Sequence, residues 1–134
     1  MTVSLSSTLN SHAKLVSPDA SLIELPTRAR TEKTHKITVK QKEDGDFSLH
    51  VASDCPEVKE YAKMIGDTLT MEDLMDVRKS KIFSYDNLER VTATCLAPNG
   101  IINAAWLEAG MMSKKLAKEV GQNVVDFVKV YDER

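Results

Sequence analysis

The sequence predicts a two-layer α+β domain with elements in the order β-β-α-α-α-β. This is an antiparallel hairpin plus a C-terminal strand, with helices packed on one face. Three observations predict it. Two alternating segments flank an acidic turn that ends in glycine. Apolar residues then recur at helical spacing between capping residues and glycine stops. Finally, residues 123–131 form a valine-rich run.

The hairpin comes first. In residues 34–42, Ile37 and Val39 share one face, with Lys36, Thr38 and Lys40 on the other. In residues 47–53, Phe47, Leu49 and Val51 share a face. Residues directly opposite each other in a ladder lie on the same side of the sheet. A two-residue Asp44-Gly45 loop would set Val39 opposite His50 and mismatch the apolar faces. A three-residue loop, Glu43-Asp44-Gly45, sets Val39 opposite Leu49 and Ile37 opposite Val51. That loop wants a left-handed residue at its third position, where Gly45 stands. It also sets Lys42 beside Asp46 as an exposed ion pair. The outer face then carries Lys36, Thr38, Lys40, Ser48 and His50, so the sheet is covered on one side only.

The helices follow. Pro56 suits a first helical turn, Val58, Tyr61, Ala62 and Ile65 recur at helical spacing, and Gly66 ends the run. Thr70 and Asp73 form a capping box for a short helix carrying Leu74 and Val77. Residues 79–92 are ambiguous, with a candidate strand at Ile82-Phe83 and a turn at Asp86-Asn87. Asn99 caps a longer helix with Ile101, Ile102, Ala105, Trp106 and Ala109. Gly110 either ends it or lies within it. In the first case Ser113 starts another helix, closed by Gly121. In the final strand Val124, Val128 and Val130 oppose Val125, Phe127 and Tyr131. A strand apolar on both faces is central in a sheet or belongs to a subunit interface, so we expect a homo-oligomer.

Composition bounds the function. The chain has 134 residues, 42% of them hydrophobic and 28% charged, which suits one packed domain rather than disorder. A net charge of −2 argues against nucleic acid as a partner. No apolar run reaches the roughly 18 residues of a membrane span. Five glycines leave no room for a glycine-rich phosphate loop. Residues 1–20, rich in Ser and Thr, read as a flexible leader, with a single domain over 21–134. Leu22, Ile23 and Leu25 are a candidate edge strand ended by Pro26. No secretory signal pattern is present, so the expected location is cytoplasmic, with reduced cysteines. The basic strip from Arg28 to Lys42 reads as a solvated face.

Cys55 and Cys95 each lie just before a predicted helix, where the dipole and unpaired N–H groups favour a thiolate. Two cysteines alone do not make a zinc site, and His12, His35 and His50 are not at metal-ligand spacing. The stretch Ser53-Asp54-Cys55-Pro56-Glu57-Val58-Lys59 resembles one motif of a family of small uncharacterised domains from archaea and anaerobic bacteria. The stretch from Cys95-Leu96-Ala97-Pro98 through Glu108-Ala109-Gly110 resembles its second motif. The resemblance covers residues 34–130 and implies the fold and the two cysteine positions. The family carries a further cysteine near the first strand, where this chain has Arg30-Thr31-Glu32-Lys33, and it supplies no reaction.

The expectation is therefore a small binding or assembly module without a catalytic constellation. The alternative is a thiol-based metal or redox site at Cys55 and Cys95, with zinc or iron as the metal and further ligands from a second subunit. His50 and Glu108 are the remaining candidates, for acid–base chemistry, on residue type alone.

Overall fold

Strands β3 (Glu32–Gln41) and β4 (Phe47–Ser53) form the hairpin in the register that the alternation predicts. Val39 faces Leu49 and Ile37 faces Val51. Gly45 takes the positive φ that the three-residue loop requires, at 93°. The Lys42 N–H donates to the Asp46 carbonyl at 2.7 Å and closes the loop. The Lys42 ammonium donates to Thr68 Oγ1 at 3.0 Å, instead of pairing with Asp46.

The computed structural model describes residues 2–8, 13–16 and 32–121. The predicted strand at 123–131 and the candidate edge strand at Leu22–Leu25 lie outside the described residues. Part of the expected leader differs from expectation. Strands β1 (Thr2–Thr8) and β2 (Ala13–Val16) extend the sheet. Val3 and Leu5 alternate with serines, a period-two pattern hidden by a Ser/Thr-rich composition. Val3 pairs with Ile37 and Leu5 with His35. A two-residue strand, β5 (Thr68–Leu69), pairs with the start of β4. The antiparallel sheet runs β2-β1-β3-β4-β5, and with the helices it makes an α+β fold.

Helix α1 (Pro56–Ile65) buries Val58, Tyr61 and Ile65 and stops at Gly66, as its spacing predicts. Helix α2 (Met71–Met75) opens on the expected capping box. Thr70 Oγ1 accepts from the Asp73 N–H, and Asp73 Oδ2 accepts from the Thr70 N–H. The helix ends before Val77, which is 67% exposed rather than a core residue.

Residues 80–84 form no strand. Ile82 is fully buried in a turn whose backbone is satisfied by side chains. Tyr61 Oη donates to the Ile82 carbonyl at 2.7 Å, and Asn87 Nδ2 donates to the Lys81 carbonyl at 2.7 Å. Asp73 Oδ1 accepts from the Lys81 N–H at 3.1 Å. A one-turn helix, α3 (Tyr85–Leu88), follows in place of the expected turn.

Helix α4 (Ala97–Glu108) starts two residues before the predicted cap. Leu96 is its N-cap, Pro98 fits the first turn, and the Asn99 side chain instead accepts from Asn103 Nδ2. Gly110, at φ 75°, lies past its end. Helix α5 (Lys114–Val120) is capped by Ser113, whose Oγ accepts from the Leu116 N–H, and it closes at Gly121.

The core gathers Ile37, Val39, Phe47 and Leu49 from the sheet, Tyr61 and Ile65 from α1, and Ile101, Ala104, Ala105 and Leu107 from α4. Full burial of each large side chain contributes about 1.5–3 kcal/mol. Trp106, Met111 and Met112 pack at its margin, and Trp106 Nε1 donates to the Leu74 carbonyl. Helix α4 lies against β3 and β1, and α1 lies against β4. On the other face Lys36, Lys40 and His50 are exposed, which matches a sheet covered on one side.

Candidate functional site

Helix α1 has two working faces. Val58, Tyr61 and Ile65 go into the core. Lys59, Ala62, Lys63 and Gly66, at helical spacing, face the edge of β4 instead. Between them lies an open groove of about 840 Å³, whose strand wall is Leu49, Val51 and Ser53.

The hydrogen-bond pattern of β4 shows what this wall offers. The Lys42 N–H donates to the Asp46 carbonyl, so alternate positions of β4, Ser48 and His50 among them, direct their backbone groups at β3. Leu49 directs its N–H the other way, to the Asp67 carbonyl at 2.8 Å. By the same alternation Val51 and Ser53 direct theirs away from β3. Strand β5 reaches only as far as Ser48. Beyond Leu49, no strand among the described residues pairs with this edge. An open edge of this kind is a template for strand addition.

Of the two predicted thiols, Cys55 lies just past the end of the same strand. Cys55 is the N-cap residue of α1 and half-buried. Its Sγ donates to Glu57 Oε2 at 3.1 Å, and that bond holds the Glu57 carboxyl below its ordinary range. Cys95 sits in a turn before α4, where its N–H donates to the Thr92 carbonyl. Burial pushes the Cys95 thiol up, the Ala97 backbone opposes this, and charge on Cys55 and Glu57 adds to it. The two thiols are thus electrostatic neighbours although 40 positions apart in sequence, and no disulfide joins them. Among the described residues, no group of three or more His, Cys, Asp or Glu side chains is arranged to hold a metal ion.

The other candidates fall apart in space. His50 is exposed and lies on the groove's strand wall. Glu108 Oε1 accepts from the Gln41 N–H at 3.1 Å, tying the end of α4 to the end of β3. His35 is buried, with Nδ1 2.7 Å from Ser53 Oγ.

Residues 31–120 match a family of unknown function, DUF6951. The chain belongs to that family. The match takes in the hairpin, both cysteines and helices α1 to α5, so the groove and the thiols belong to the family's shared stretch. No curated protein and no solved structure matches the chain. The groove is not legible in the sequence because β5 is only two residues long. The signal it held was the second face of α1, with small residues Ala62 and Gly66 between Lys59 and Lys63.

Proposed function

We propose that this protein is a small binding or assembly module that associates through the groove between β4 and α1. The observation that carries this reading is the edge at Val51 and Ser53, which no strand pairs among the described residues, set against the side of α1 that carries Lys59, Ala62 and Lys63. A strand added there gains main-chain hydrogen bonds from the edge and lies beside Ala62 and the lysine stems of α1. Nothing in this arrangement demands a reacting group. The expected partner is a second copy, giving a homo-oligomer.

Sedimentation velocity over a wide concentration range tests the proposal. The full chain gains mass as concentration rises, and Ala62→Glu, which plants a charge on the groove floor, stays monomeric with an unchanged unfolding midpoint. A wild-type chain that is monomeric throughout overturns the assembly role.

One observation supports a second reading, a thiol site: Cys55 and Cys95 are electrostatic neighbours beside Glu57. Burial pushes the Cys95 thiol up, away from the nucleophilic thiolate, so this reading ranks behind the groove. Zinc or iron would need ligands beyond these three side chains.

A further inference from the structure

We infer that the groove takes the same edge of a second copy of this chain, the two β4 strands pairing antiparallel about a twofold axis at Ala52. This inference deepens the proposed assembly role and rests on it.

Three observations lead to it. The first is the pattern of edge groups. Val51 and Ser53 direct their backbone groups away from β3, and no strand among the described residues pairs with them there. Two copies of one strand pair antiparallel only in registers that set such outward groups against each other. One register sets Val51 against its own copy and brings the partner's Ser53 beside Leu49. The Asp67 carbonyl already holds that place, 2.8 Å from the Leu49 nitrogen. The next register sets Val51 against the partner's Ser53, and Ser53 against the partner's Val51. Each of these pairs exchanges both of its main-chain hydrogen bonds. Strand β4 ends at Ser53, so in this register the partner's strand stops short of Asp67.

The second is the residue at the axis. This register sets Ala52 against its own copy as a non-hydrogen-bonded pair, with Cα atoms about 4.5 Å apart and side chains close together. Ala52 is exposed, and its methyl group is small enough for that approach.

The third is charge. A twofold axis sets a surface against itself, so a lining of one sign would repel its own copy. The groove lining carries Lys59 and Lys63 together with Glu60 and Asp67, bases and acids in balance. The Lys63 ammonium contacts Glu60 at 2.8 Å, but both groups are exposed and the pair is weak, so both can turn to a partner.

Disulfide trapping on the full chain, in a Cys55→Ser/Cys95→Ser background and with sedimentation of the same samples, tests this. Ala52→Cys and His50→Cys are compared under an added mild oxidant. Position 52 and its copy lie about 4.5 Å apart, within the roughly 4.4–6.8 Å between Cα atoms that a disulfide spans. Position 50 and its copy lie about 14 Å apart at roughly 3.4 Å per residue, out of reach. Expected is a covalent dimer that forms at least tenfold faster through position 52 than through position 50. If the mass rises with concentration and position 52 shows no such advantage, the inference is overturned and the assembly role stands. A chain that stays monomeric at every concentration overturns both.

Discussion

His35 shows how one buried side chain makes stability depend on pH. It is 1% exposed, and burial lowers its pKa, with Asp54 opposing the shift and Lys33 adding to it. The unfolded chain titrates near the ordinary value of about 6.5. Between that value and the lower folded one, the unfolded state binds more protons. Stability is therefore complete above about pH 6.5 and is lost as pH falls through the folded value. Urea unfolding at about pH 7.5 and about pH 5.5 should show a lower midpoint at the acid end. His35→Gln should shrink that difference, and an unchanged difference would assign it to other groups. The sequence placed His35 at an alternate strand position but did not show its burial, on the face of β3 that carries the buried Ile37 and Val39, nor its contact with Ser53.

At the scale of the element, local chemistry was the most legible part. The turn at Gly45, the proline and glycine bounds of α1, the Thr70–Asp73 box and the Ser113 cap all act within a few residues of themselves. Thr70→Ala should lower stability by about 1 kcal/mol in urea unfolding, because an orphan N–H of α2 loses its acceptor. An effect below a few tenths of that would mean that Asp73 alone fixes the turn. What the sequence hid was non-local. Ile82-Phe83 has the composition of a strand, but Tyr61, Asp73 and Asn87 reach in to satisfy the backbone of residues 81 and 82. Strand β5 forms because Gly66 and Asp67 return the chain beside β4, which two residues cannot announce by periodicity. The start of α4 moved forward because Pro98 fits a first turn as well as it breaks a chain.

At the scale of the whole molecule, the fold class was readable from alternation and helical spacing, while the candidate site was readable only in part. The two cysteines were visible as residues before helices. Their mutual proximity depends on how α1 and the turn before α4 meet, and no local pattern encodes that. The groove depends on a strand edge that stays open, a property of sheet order rather than of any residue. The groove residues and the thiols are different side chains, with Cys55 two residues beyond Ser53 and Cys95 before α4, so the competing accounts of the protein separate by substitution.

The most direct test compares the assembly of Cys55→Ser/Cys95→Ser with that of Ala62→Glu by sedimentation at matched concentrations. The groove account predicts that the doubly substituted chain assembles like the wild type and that Ala62→Glu does not. Assembly lost with the thiols and retained with the charged groove would contradict it and make Cys55 and Cys95 the working site.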